Sequence, residues 1–492
     1  MKIGRTLYFA AALILVVLSF FLYSSRYYPL LSSDDALNVL MTYYYRLPHD
    51  IYCWGQDRGG TLIPLISQVF HRWLGFSPIV SVSFSNYLVL ILGYWGFSSL
   101  LKNSYTKLLF AIVWFFPPIR FVDLTRFPIG VQYSLIGFSI YLINKVRFNQ
   151  RNRIFSHVLM VLVVLILCIS VWVSDLSLVS ITLLIFTLFF FRYREIGKLS
   201  IPKSVLFYIV GGVAGVFFML RFAKRHATGV TGNYLGINTW AEFWQAVETL
   251  VNEFLSVYTF QNDDIIFSIY AWFVMISLLF LAFCVLRSSS FVVPERIRPW
   301  LAFFILDFVV VLGGMAFSKW VLLNGMGRWY FVSSYISLSL VVLILLDNNS
   351  MKDFRNRAVH GVIALTILLG AVSTPHYLKF VRPKTLKSKV DIKREFLTLG
   401  EIGIIGEFWN SYISACPNPS ILKATAHDKS VVRNKELVNE VFAQPEIYVI
   451  RDMWMKSFPD SLKQFGHTLV RDGEPFKMAG CDVCKYADVE RD

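Results

Sequence analysis

The chain is written in two textures. Over its first 375 residues, long apolar runs alternate with short polar connections, at about 7–23, 83–101, 108–119, 128–144, 154–173, 177–191, 204–221, 267–286, 300–317, 329–346 and 358–375. A run of about 20 apolar residues spans the hydrocarbon core of a bilayer, so this pattern predicts eleven transmembrane helices. The third and sixth runs are short for a straight crossing and predict tilted, broken or re-entrant segments. Beyond residue 375 the runs shorten and alternate. "IGIIGEFW", "EIYVIRD" and "HTLVRD" predict strands, while "NKELVNEVFAQ" and "SLKQFG" predict helices. The predicted fold class is an α-helical polytopic membrane protein with a C-terminal soluble α/β domain. Residues 1–375 form the membrane part, with a large first loop at 24–82, and residues 376–492 form the second domain.

Composition agrees with this division. Only 16% of the 492 residues are charged and 44 are Phe, whereas a soluble chain carries about 25% charged residues. The net charge of +15 would suit nucleic acid, but its distribution does not. Lys102 and Lys107, then Lys145, Arg147, Arg151 and Arg153, fall in alternate loops. So do Arg192, Arg194, Lys198 and Lys203, then Arg287, Arg296 and Arg298, and finally Lys352, Arg355 and Arg357. Basic alternate loops are the mark of the cytoplasmic side. The N-terminus is therefore predicted inside, and loop 24–82, the loop near 222–266 and the tail outside. No basic segment interleaved with stacking aromatics supports a nucleic-acid partner. Lys2 and Arg5 before the first run could open a signal peptide, but the run is long and no A-x-A site follows it.

On the predicted outer side stand unusually many ionisable groups. "SSDDALN" carries Asp34 and Asp35, "WGQDRGG" carries Asp57, "WVSDLSL" carries Asp175, "RFVDLTRF" carries Asp123, and "QNDD" carries Asp263 and Asp264. Two readings fit Asp34 and Asp35. Ser33 or Asp34 would cap the following helix and the acids would favour its dipole, or the acids carry chemistry. Asp57 reads as part of a Gly59–Gly60 turn paired with Arg58, or as a third acid folded back towards Asp34. Asp175, in a tight hairpin, could cap the second of two helices. Outer-face bases close to span ends are Arg120, Arg126, Arg221, Lys224, Arg225, Lys319 and Arg328. Such cations snorkel to head groups, or bind phosphate through charge-assisted hydrogen bonds. Acids beside phosphate-binding bases suggest group transfer from a lipid phosphate. A carboxylate takes the acceptor's proton and cations stabilise the departing phosphate.

An acidic pair just after the first span, a long first outer loop, many spans and a polar outer tail resemble the GT-C superfamily of glycosyltransferases. Its relatives include protein O-mannosyltransferases, oligosaccharyltransferases and bacterial aminoarabinose transferases. The resemblance covers the membrane part, about three quarters of the chain. It implies a donor sugar on a polyprenyl phosphate, a glycan, lipid or protein acceptor, and a bacterial cytoplasmic membrane with the tail in the periplasm or outside. It also implies that Asp34 is the base, with Asp35 in place of the commoner Glu and Asp57 as a further acid. "NGMGRWYFVSSY" resembles the late element that binds lipid phosphate, which carries that role to Arg328 and Tyr330. Arg221, Lys224, Arg225 and Lys319 join them as donor-phosphate ligands, with Asp175 and Arg126 as accessory residues. No cofactor is implied with certainty. A divalent cation stays open, since some members use one and a few carboxylates alone do not decide it.

Other constellations are weaker. Cys481 and Cys484 form half of a zinc signature and, in an oxidising compartment, predict a disulfide. Two other classes remain. A polysaccharide polymerase or ligase would share the donor, and a glycan flippase would need ionisable residues through mid-membrane. Asp307 is the clearest of these.

Overall fold

The computed structural model describes residues 4–126, 128–146, 153–197, 203–232, 236–287, 293–349 and 354–489. Arg147, Arg151, Lys198 and Lys352, counted above among the basic loops, lie outside the described residues. The chain is a multi-pass membrane protein. Among the described residues nine helices are long and apolar enough to cross a membrane, from Thr6–Tyr23 to Phe354–Val381. The third predicted span is a bent pair, Ser104–Phe115 and Ile119–Thr125, turning through 94°. The bend falls at Pro117 and Pro118, which lack the N–H a continuing helix would use. The fourth is the helix Pro128–Lys145, less apolar because it is almost wholly buried, with Gln132, Ser134 and Ser139 inside. The sixth is not short: it runs Ser177–Ile196.

The fold divides into two compact units. The first comprises Met1–Ser19, Leu88–Arg221 and Thr231–Lys384. Its helices approach closely through small residues. A Cβ on Gly96 would lie 2.2 Å from the Gly137 backbone, and one on Gly93 2.5 Å from Ser134, the small-residue packing that membrane helices favour. Asp307 is fully buried there and accepts hydrogen bonds from Tyr133, Ser180 and Ser337, each at 2.6 Å. Three hydroxyls from three helices occupy this carboxylate, so it serves as a packing knot.

The second unit comprises Phe20–Tyr87, Phe222–Val230 and Thr385–Asp492. The first loop and the tail thus pack together, and the compact units do not follow a boundary at residue 375. Its sheet contains β1 (Ile402–Gly406), β2 (Leu422–Ala426), β3 (Glu446–Arg451), β4 (Ser461–Gln464), β5 (His467–Arg471), β6 (Phe476–Met478) and β7 (Cys481–Asp488). The order is β2-β1-β3-β7-β5-β4, with β6 on β7. β2, β1 and β3 are parallel and joined by the helices Phe408–Ala415 and Lys435–Phe442, while the remaining pairs are antiparallel. One core layer joins Ala36, Leu37 and Leu40 of the helix Ser33–Tyr44 to Ile404, Tyr412 and Ile413. The acid-bearing helix is therefore fixed on the α/β sheet's own packing.

Two expectations are corrected here. "SLKQFG" is no helix: Ser461–Gln464 is β4, and Phe465 and Gly466, at φ 55° and 93°, turn it back into β5. Positive φ at both turn positions is what a two-residue hairpin requires. Nor do Cys481 and Cys484 form a disulfide; both are free. Three positions apart on one strand, they point to opposite faces of the sheet, Cys481 towards one core layer and Cys484 into the other.

Candidate functional site

The acidic pair is resolved by its first turn. Ser32, not Ser33 or Asp34, is the N-cap of Ser33–Tyr44, with φ −90° and ψ 165°. Its Oγ accepts from Asp35 N at 3.2 Å, and Asp35 Oδ2 accepts from Ser32 N at 3.3 Å and from Ser32 Oγ at 2.9 Å. This is a closed capping box. Ser33 Oγ donates to the Phe408 carbonyl. Asp35 is thus spent on helix geometry. Replacing Ser32 by Ala should lower stability by about 1 kcal/mol, read as an earlier thermal unfolding midpoint.

Asp34 is left for other work. Among the described residues its carboxylate has no hydrogen bond or ion pair; only its backbone carbonyl is engaged, by Asn38 Nδ2 at 3.4 Å. Burial raises its pKa above the ordinary carboxylate value; Arg433 and Arg58 oppose that rise and Asp35 adds to it. A carboxylate with free lone pairs and elevated basicity suits a general base.

The neighbours come from distant segments of the same unit. Loop 53–60 is closed by Cys53 N donating to Gly59 O at 2.9 Å and by a bridge between Tyr52 and Gly60. It presents Arg58 to Asp34. Asp57, expected as a third acid, is not among the strongest influences on Asp34. Gly55, at φ 68°, sits in a conformation that favours glycine, and a Cβ there would press against the Arg433 carbonyl at 3.3 Å. Arg433 N donates to Tyr412 Oη at 3.0 Å, and its guanidinium lies 5.2 Å from the Phe408 ring centroid. With the Gln56 amide oxygen facing it, that oxygen accepts from Arg433 Nη1 and Nη2 at 3.0 and 3.2 Å. Burial pushes the Cys53 thiol up to about 11, which keeps it neutral.

A second constellation lies in the other unit. Arg328 Nε donates to Asp123 Oδ2 at 2.8 Å, and Arg126 Nη2 to Asp123 Oδ1 at 3.4 Å. Two guanidinium groups share one carboxylate. Tyr330 packs against the apolar cluster of Ala246, Val311 and Met315. Lys319 is paired with Glu242 at 3.0 Å. The Glu242 carboxyl is held below its usual value by the Thr239 backbone N–H first and Lys319 second, so Lys319 brings little uncompensated charge. Arg221, Lys224 and Arg225 are exposed and, among the described residues, carry no ion pair. Asp175 does not cap the helix Ser177–Ile196, whose N-cap is Leu176 with no side-chain bond.

For a divalent cation the donor set does not fit. Among the described residues no group of three or more His, Cys, Asp or Glu could hold a metal ion. The charges acting on Asp34 include the Arg433 and Arg58 guanidinium groups, and Asp35 Oδ2 is engaged by Ser32.

The sequence matches no protein family and no curated protein. The architecture does match solved structures. ArnT from Cupriavidus metallidurans, solved with undecaprenyl phosphate bound, superposes with a TM-score of 0.55 at 10% identity, covering 98% of this chain and 97% of that one. The chain therefore shares the overall fold of that structure, the fold expected from the GT-C resemblance. The Archaeoglobus fulgidus oligosaccharyltransferase is more distant, with a TM-score of 0.43 at 12% identity over 91% of this chain and 70% of its own. The sequence names Asp34 and Arg328 as candidates but does not point to Arg433, to Arg58 as a neighbour of Asp34, or to Asp123 as the partner of Arg328. Only the Asp57–Arg58 dipeptide gives a local signal for any of these.

Proposed function

We propose that the protein is an inverting glycosyltransferase that moves a sugar from a polyprenyl-phosphate donor to a glycan, lipid or protein acceptor. The reading puts it in the bacterial cytoplasmic membrane, with the site on the outer face; the basic alternate loops support that orientation. The observation that carries the reading is Asp34: a half-buried residue whose carboxylate, among the described residues, makes no hydrogen bond or ion pair, opening a helix of the first long loop. In the reaction the acceptor O–H or N–H proton passes to Asp34. The acceptor's electron pair forms the new bond to the anomeric carbon. The bond from that carbon to the phosphate oxygen breaks and its pair leaves with the lipid phosphate. A single displacement of this kind inverts the anomeric centre.

Arg328, which shares Asp123 with Arg126, takes the donor phosphate, with Tyr330 two residues on. Arg221, Lys224 and Arg225 serve as further phosphate contacts. The flippase reading loses its clearest support, because Asp307 is held by three hydroxyls.

A binding measurement tests the lipid carrier. Titration of the purified protein with undecaprenyl phosphate should raise the unfolding midpoint progressively with ligand concentration, by the equivalent of about 2.7 kcal/mol at a hundredfold excess over Kd. Undecaprenol, lacking the phosphate, should not. An equal response to both lipids would contradict phosphate recognition.

A further inference from the structure

The charge nearest in effect to Asp34 comes from the other end of the chain. Arg433 lies between β2 and the helix Lys435–Phe442. Three contacts fix it: its backbone on Tyr412 Oη, its guanidinium face on Phe408, and its two terminal nitrogens on the Gln56 amide oxygen. None of these is a carboxylate. Among the described residues Arg433 makes no ion pair, and its Nε is buried without a hydrogen-bond partner. A guanidinium cannot shed its proton in a protein, so its charge stays and acts at a distance. Gln56 is the informative partner, because a neutral amide holds the fork without cancelling its charge.

Asp34 is anchored independently. Its helix start is fixed by the Ser32 capping box and by Ser33 on the Phe408 carbonyl, the same residue whose ring carries Arg433. Phe408 therefore sets both partners. We infer that Arg433 is a positioning residue for Asp34: a tail-borne cation, held out of ion-pair contact by Gln56, Phe408 and Tyr412, that supplies a compensating positive charge while leaving the lone pairs of the base open to a substrate proton. A direct ion pair would occupy the oxygens the reaction needs, while loss of the cation would leave the desolvation of the carboxylate less compensated. The other groups that act on Asp34 are Asp35 on its own helix, Arg58 and the neutral Cys53 on the loop; Tyr412 lies against Arg433 and Cys416 against Ala36, both kept neutral by burial. Among these the cations are Arg58 and Arg433. The proposal rests on Asp34 being the base and assigns the α/β tail a direct part in the site.

The test reads Asp34 without needing a sugar donor. Dicyclohexylcarbodiimide modifies protonated carboxyl groups in apolar surroundings, and peptide mass spectrometry gives the labelled fraction at Asp34 across pH. Arg433→Gln should move the labelling midpoint to higher pH and Arg433→Lys should hold it near wild type. Gln56→Glu, which puts a carboxylate on the fork, should also raise it, and reports on the same charge if Arg433→Gln fails to fold. An unchanged midpoint in Arg433→Gln or Gln56→Glu would overturn the inference, as would an equal shift in Arg433→Lys, which would mark lost packing. Absence of sugar transfer by the wild type would instead overturn the function while leaving this labelling result standing.

Discussion

Asp34→Asn is expected to reduce sugar transfer by roughly 10²- to 10⁴-fold, the usual contribution of a positioned base, while making the protein more resistant to heat. The two effects have one cause. Burial raises the pKa of Asp34 in the folded state, so the folded protein holds this proton to higher pH than the unfolded chain does. Below the unfolded value both states are protonated and nothing is lost. Between the unfolded and folded values a destabilisation builds up, and above the folded value it is present in full. Asn carries no charge to bury, so the variant should melt at higher temperature at neutral pH and converge with wild type in acid. Asp35→Ala should do the reverse, weakening the fold through the capping box. A variant of Asp34 that lost activity only in proportion to lost stability would contradict the assignment. The acid limb of the wild-type pH–rate profile should lie above the ordinary carboxylate range, for the same reason.

Arg328→Gln is the second large effect. Arg328 and Arg126 share Asp123, so removing one guanidinium lowers the positive charge there by one and takes away a phosphate donor. A charge-assisted hydrogen bond contributes about 1.5–3 kcal/mol. The loss should therefore appear as a roughly 10- to 100-fold fall in kcat/KM for the lipid-linked donor. Lys319→Gln gives the contrast. Glu242 already neutralises Lys319, so its removal should change donor kinetics little. Equal losses in the two variants would show that surface charge alone matters, not the Arg328 geometry.

Much of this fold is legible locally. Each predicted span has its helix, because a bilayer forces long uninterrupted apolar runs. The Pro117–Pro118 break explains why the third run is short. The helix Pro128–Lys145 is recognised from its run despite its polar residues, which are covered by neighbouring helices. In the tail, β1, β3 and β5 follow from their apolar patterns, whereas β4 reads as a helix because "SLKQ" has helix-compatible residues and its turn lacks Asn or Asp. β7 is hidden by its cysteines, whose spacing suggests redox or metal chemistry although the strand puts them on opposite faces.

The site is less legible. Ser32-x-x-Asp35 has the spacing of a capping box, and that local signal is enough to separate the roles of the two acids. Arg433 has no such signal, since nothing near it in sequence points to a loop almost four hundred residues earlier. The pairing exists only through the shared packing of the first loop and the tail.

The central claim is a transfer reaction from a lipid phosphate that depends on Asp34. The most direct measurement incubates the purified protein, in bilayers, with a mixture of polyprenyl-phosphate-linked sugars and a membrane extract as acceptor. Mass spectrometry then follows release of free polyprenyl phosphate together with gain of a sugar on an acceptor. The account predicts both with the wild type, an inverted linkage in the product, and neither above background with Asp34→Asn. Sugar transfer undiminished in Asp34→Asn would contradict it.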